Sequence, residues 1–283
     1  MVSRSQNLVL PEGASTLIRN LIHERTGMFF DNGKSDLLID KLSPLVIDRG
    51  FGSYLDYYYL LKYDASALVE WQNVVNALSV QETYFWREMD QVRVLVDKLV
   101  PQWFAKNAGS TLRIWSAACA TGEEPLTIAI ALNEAGWFQR AQIEILASDA
   151  STKAIDRAGQ GFYKERAFRN FPPHLRDRYF RQEGAGWRVR SDIHSRIKWR
   201  LANLIDESQI APMASSDFIF CRNVFIYFSE NTITRAVRSF AKFIRRPGYL
   251  FVGAAESLIR LTTDFTLTEI ADAFVYVKRE RAI

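Results

Sequence analysis

The sequence predicts an α/β protein: a doubly wound, mostly parallel sheet with a small antiparallel β insertion, preceded by an all-helical domain. Three observations carry this. Residues 112–132 pass from an apolar, β-prone run through a loop of small residues into an apolar helical run. Residues 14–78 show only apolar stripes at helical spacing. Residues 160–200 interrupt the strand–helix alternation with short, basic, alternating runs. The spacing places a helical N-terminal domain at 1–90 and the α/β domain at 91–283, with the basic β insertion at about 175–200.

In the helical part, Leu17, Ile18, Leu21 and Ile22 form one stripe, Leu38, Leu42, Leu45 and Val46 a second, and Leu68, Trp71, Val75 and Leu78 a third. Gly27, Asp31-Asn32-Gly33 and Gly50 to Gly52 punctuate them. No chemistry is visible there. SVQETYFWRE (79–88) then breaks the pattern with polar residues and three consecutive aromatics, and an apolar helix is expected from Met89 to Trp103.

The centre of the chain is LRIWSAACATGEEPLTIAIAL, 112–132. Pro125 suits the first turn of a helix, where its missing amide has no partner to lose. Glu123 and Glu124 suit the positive end of the helix dipole. This strand–loop–helix unit opens a Rossmann-like nucleotide-binding sheet. The loop holds one glycine where the dinucleotide fingerprint needs three. Its two acids would repel a pyrophosphate and suit a ligand with cationic groups. S-adenosylmethionine, with a sulfonium and an α-ammonium, fits better than NAD or ATP.

A second strand, Ile143 to Ser148, ends at Asp149, an acid placed to accept hydrogen bonds from a ribose or to cap the helix that follows. WRVR (187–190) and RIKWRLA (196–202) read as the strands of the antiparallel insertion, and Asn203 to Asp206 return to the sheet. DFIFCRNV (217–224) is a buried strand that meets Arg222 and Asn223 at its carboxyl end, where such sheets bind ligands. A helix from Ser229 to Arg246 and strands at Tyr249 to Val252 and Ala273 to Lys278 complete the pattern.

Composition narrows the class. The chain has 283 residues, 48% hydrophobic and 24% charged, as expected of a folded domain pair. No apolar run approaches the ~20 residues of a membrane span, and no secretory signal is evident at the N-terminus. Cys119 and Cys221 make no disulfide framework, and His23, His174 and His194 are scattered, with no metal-ligand spacing. A cytoplasmic monomer is expected. Charge is uneven: residues 1–95 carry 9 Lys/Arg against 12 Asp/Glu, whereas 155–200 carry 12 against 5. The central segment should face an anionic partner, and the absence of a recognised binding motif speaks against nucleic acid.

Taken together, QETYFWRE (81–88), RIWSAACATGEEP (113–125), ILASDASTKAIDRAGQGFY (145–163), RYFRQEGAGWRVR (178–190), LANLID (201–206), FIFCRNVFIYF (218–228) and GYLFVGAAESL (248–258) resemble the CheR-type chemotaxis receptor methyltransferases over nearly the whole chain. The resemblance implies a class I methyltransferase sheet using S-adenosylmethionine and releasing S-adenosylhomocysteine. It also implies methylation of glutamate γ-carboxylates on the cytoplasmic helices of chemoreceptors. By similarity, Gln81, Thr83, Arg87, Glu123, Glu124, Asp149, Asn203, Leu204, Arg222 and Asn223 contact the donor, and Arg87 and Tyr227 lie beside the transferred methyl. Three places depart from the family pattern: Gln81 stands where Asn is usual, Ala254-Ala255 stand where His-Ser is usual, and the inserted loop around Gly184 to Gly186 is short. The alternative is a signalling scaffold that binds the donor or its product and docks receptors without turnover; the intact Arg87, Asp149, Arg222, Asn223 and Tyr227 argue against it.

Overall fold

The computed structural model describes residues 10–278. It divides into two compact units, one reaching up to Val80 and taking in Tyr227–Ser229, the other formed by Gln81–Ile226 and the chain from Glu230 onward.

The first unit holds four helices: α1 (Glu12–Thr26), α2 (Ser35–Asp48), α3 (Tyr54–Tyr63) and α4 (Ala67–Leu78). Gly27 ends α1 in the left-handed region, φ +80°, and its N–H returns to the His23 carbonyl. Ile18, Ile22, Leu38, Leu42, Val46, Tyr57, Trp71 and Val74 form the core. The sequence reading missed α3, whose YLDYYYLLKY lacks a clean apolar stripe; Ser53 starts it by accepting the Asp56 N–H. Leu68, predicted to face the core, is 69% exposed, and Glu70 is buried instead. The carboxylate is tolerated because Arg49 Nε and the Tyr57 hydroxyl donate to it at 2.6 and 2.7 Å. Residues 227–229 join this unit through a bridge of Phe228 to Met28 and a bond from the Phe29 N–H to the Tyr227 carbonyl, 2.8 Å.

The second unit begins with α5 (Met89–Val94), a π-helical turn at Leu95–Leu99 and α6 (Val100–Lys106). There follow β1 (Leu112–Ala117), α7 (Glu123–Glu134), α8 (Trp137–Arg140), β2 (Ile143–Asp149), α9 (Thr152–Gln160), β3 (Phe162–Tyr163), α10 (Pro173–Tyr179), β4 (Phe180–Glu183), β5 (Gly186–Val189), α11 (Ser191–His194), β6 (Ile197–Leu201) and α12 (Glu207–Ala214). β7 (Phe218–Cys221), α13 (Glu230–Phe243), β8 (Gly248–Phe251), β9 (Thr266–Ile270) and β10 (Ala273–Lys278) complete it.

The large sheet runs β6-β2-β1-β7-β8-β10-β9, parallel from β6 to β8, with β10 and β9 antiparallel. A second, three-stranded antiparallel sheet runs β3-β5-β4. One strand moves relative to the sequence reading. Residues 197–201 do not pair with 187–190; they lie parallel to β2 on the edge of the large sheet, Ile145 opposite Ile197 and Asp149 opposite Leu201. The expected hairpin link at 191–195 is instead a helical turn, α11, which carries the chain across to the other sheet. The true partners of β5 are β4, through the turn at Gly184-Ala185, and the two-residue β3.

Candidate active site

β1 pairs with β2 on one side and β7 on the other, so the crossovers diverge beyond their carboxyl ends. That divergence opens the crevice where doubly wound sheets take ligands. Three loops meet there: 118–122 after β1, 150–151 after β2 and 222–225 after β7. The segment 81–88 is fastened to them, the Trp86 N–H donating to Thr127 Oγ1 of α7 at 3.2 Å. The backbone is strained at this place. Trp86, Glu88, Ala118, Ala120 and Asn223 all take positive φ, between 47° and 66°. Such residues cost about 1–3 kcal/mol each and gather where geometry serves a site. Gly122, at φ +97°, has no room for a side chain: a Cβ would stand 2.8 Å from the Trp199 ring.

Two of the predicted groups anchor the sheet edge. Asp149 does not cap α9, a role taken by Ser151, whose Oγ accepts the Ala154 N–H. Its carboxylate instead spans two loops, accepting the Ala120 and Ser151 N–H groups at 2.9 Å each. Gln81 donates to Ser151 Oγ at 3.2 Å and accepts from Arg157 at 3.3 Å, so its longer amide is engaged beside Asp149. Arg222 is the buried hub. Its Nη2 donates to the Arg87 carbonyl at 2.7 Å and lies 3.3 Å from Glu88, while its Nε is 3.4 Å from Glu124. Ser116 Oγ donates to the other oxygen of Glu124, 2.7 Å. Asn223 donates its side-chain amide to Glu88 at 3.3 Å.

The remaining candidates sit apart from that network. Asn203 turns its Oδ1 to the Ile205 N–H, 3.2 Å, and Leu204 is buried; both follow Ala202, whose N–H reaches the Asp149 carbonyl at 3.0 Å. Thr83 is half-buried within 81–88. Tyr227 belongs with the helical unit. Two contributors went unread in the sequence. Glu256 gathers the N–H groups of Gly253, Asn223 and Phe225 at 2.7–2.8 Å, tying the loops after β7 and β8 together. Glu88 touches three site residues. The available signal was an acid directly after Arg87 and another three residues after Gly253.

The electrostatics favour a cationic ligand. Burial pushes the Glu123 carboxyl up to about 7, a rise only partly opposed by the Thr121 hydroxyl. Burial also raises Glu124, against the pull of Arg222, and Asp149, against the N–H groups of Ser151 and Ala120. Three carboxyls are thus held in surroundings that disfavour their charge. A ligand bearing positive centres would relieve that penalty; a pyrophosphate would add to it.

A doubly wound sheet with this acidic switch point defines a class of enzyme: the S-adenosylmethionine-dependent methyltransferases. Comparison with known proteins makes the assignment narrower. The CheR methyltransferase SAM-binding domain matches residues 81–274, and the CheR methyltransferase all-alpha domain matches 16–79. Chemotaxis protein methyltransferase 2 of Vibrio cholerae is 33% identical over 263 residues, 92% of this chain and 91% of that protein. The chemotaxis protein methyltransferase of Escherichia coli is 30% identical over 272 residues, 94% and 92% of the two chains. Among solved structures, a magnesium protoporphyrin IX methyltransferase from Synechocystis PCC 6803 with bound SAM is 14% identical, with a TM-score of 0.34, covering 77% of this chain and 91% of that one. The chain belongs to the CheR methyltransferase family, and its donor is S-adenosylmethionine.

Proposed function

We propose that the protein methylates the γ-carboxylates of glutamates on the cytoplasmic helices of chemoreceptors, giving methyl esters. The observation that carries this reading is the buried carboxyl and arginine set at the switch point, in a chain matching chemotaxis methyltransferases over most of its length. Gln81, Thr83, Glu123, Glu124, Asp149, Asn203, Leu204, Arg222 and Asn223 would hold the donor, which supplies an electrophilic methyl on its sulfonium. The acceptor needs no general base, because a glutamate of pKa ~4.3 is already ionised at neutral pH. The residues of this chain act by placement: aligning the reacting atoms can supply about 7–11 kcal/mol of the barrier.

Arg87 orients the acceptor. Its guanidinium is itself steadied, Nη1 donating to the Glu82 carbonyl at 3.2 Å. An arginine hydrogen bond to a carboxylate is worth about 1.5–3 kcal/mol, small beside the placement term, so orientation rather than activation is its part. Tyr227 would donate to one carboxylate oxygen and leave the other free to react. The work is expected in the cytoplasm, in a chain none of whose described helices is long and apolar enough to cross a membrane.

The test is incubation with methyl-labelled donor and receptor cytoplasmic fragments. Base-labile label on glutamates is the expected result. Label that appears only on nucleic acid or small molecules, or no transfer at all, overturns the reading.

A further inference from the structure

We propose that Glu88 is a positioning residue that balances the charge of Arg87 and Arg222 and so sets how tightly the site holds an anionic acceptor. The inference rests on the methylation reading above and adds a residue that reading does not use. Glu88 follows Arg87 directly, and its backbone is held at φ +48°. Its Oε1 accepts from Asn223 at 3.3 Å and stands 4.0 Å from Arg87 Nε. Its Oε2 faces Arg222 Nη2 at 3.3 Å, fully buried and without a hydrogen bond. The strained backbone therefore aims one carboxylate between two guanidiniums, where it is held by charge more than by hydrogen-bond geometry.

With both carboxyls ionised, Arg87, Arg222, Glu88 and Glu124 sum to zero charge. Without Glu88 the cluster becomes net positive. An acceptor carboxylate is negative before transfer and neutral as the ester, so an extra positive charge stabilises the bound acceptor more than the transition state. Binding the ground state more tightly lowers the rate instead of raising it. The same extra charge opposes a sulfonium and leaves a neutral thioether untouched.

The experiment compares wild type, Glu88→Gln and Glu88→Asp. The first measurement needs no acceptor: calorimetric affinities for S-adenosylmethionine and S-adenosylhomocysteine. In Glu88→Gln the ratio of donor to product dissociation constants should rise by about tenfold, the effect of one charge several ångströms away in partly screened surroundings. Glu88→Asp should return toward the wild-type ratio. The second is turnover on a receptor fragment at saturating donor, where Glu88→Gln should lower kcat with an unchanged or lower KM for the fragment. An unchanged ratio overturns the proposal whatever the acceptor is, and so does a KM that rises in step with lost affinity for both ligands. Failure of the wild type to form esters, with the ratio shifted as expected, overturns the functional reading alone.

Discussion

Glu123 shows how a single residue couples the fold to pH. Its carboxyl, pushed up to about 7 by burial, is protonated in the folded free protein at mildly acid pH, where an unfolded glutamate is ionised. Its contribution to stability is therefore complete below about 4.5 and is lost as pH rises through about 7. A cationic donor favours the ionised form. Donor affinity should consequently climb from pH 6 to pH 8, by at most about tenfold per unit below 7, and binding should release a proton. Calorimetry in two buffers of different ionisation enthalpy measures both quantities. An affinity flat across this range would remove Glu123 from the donor site. The sequence showed this residue and its neighbour Glu124 but not their burial, because desolvation depends on what Trp199, Thr121 and Tyr163 do around the loop.

At the scale of elements, the segment 81–88 is anchored to the residues that lead into the small sheet. Glu82 forms ion pairs with Arg166 and with Arg169, the latter at 2.9 Å, and the Arg169 guanidinium lies over the Tyr84 ring at 3.7 Å. The Phe85 N–H donates to the Ala167 carbonyl at 2.9 Å. Its fully buried ring packs among Tyr163, Phe168, Phe171 and Phe180. The surface ion pairs are worth about 0–1 kcal/mol each, so the aromatic cluster dominates. Phe85→Ala should cost about 3–5 kcal/mol and weaken donor binding because Gln81, Thr83 and Arg87 share its segment, whereas Glu82→Ala should barely change the melting temperature. Thermal unfolding with and without donor separates the two. In the sequence the three aromatics mark only a break in the helical pattern; where Phe85 goes depends on β3, β4 and residues 168–171, which are distant in the chain.

For the whole molecule, charge is the property that composition exposes and pairing revises. The block 155–200 carries 12 Lys/Arg against 5 Asp/Glu. Several of those cations are paired: Arg188, Arg190 and Arg176 with acids of the block itself, Glu183, Asp192 and Glu165, and Lys198 and Arg178 with Glu144 and Glu134 outside it. Lys164, Arg196 and Arg200 have no such ion pair among the described residues. We propose that receptor helices dock on this segment, so charge reversal at those three should raise the KM for receptor severalfold and reduce its salt dependence. Reversal at Arg188 should first break a local pair and lower stability. Equal KM values for the two variants would place docking elsewhere.

Much was legible in the chain because it is local. The strand–loop–helix order around Glu123 and Glu124, the acid ending β2, Arg222-Asn223 ending β7 and the helical period before residue 80 are all written in neighbouring residues. They were enough to indicate the fold class, the donor and the family. Tertiary structure decided the rest. Whether residues 197–201 close a hairpin or edge the large sheet depends on which strand lies alongside, since an alternating pattern satisfies either partner. The burial of Glu70, the reach of Glu256 and the placing of Glu88 between two arginines likewise arise where distant segments meet, and only there do those side chains acquire their charge environment and their work.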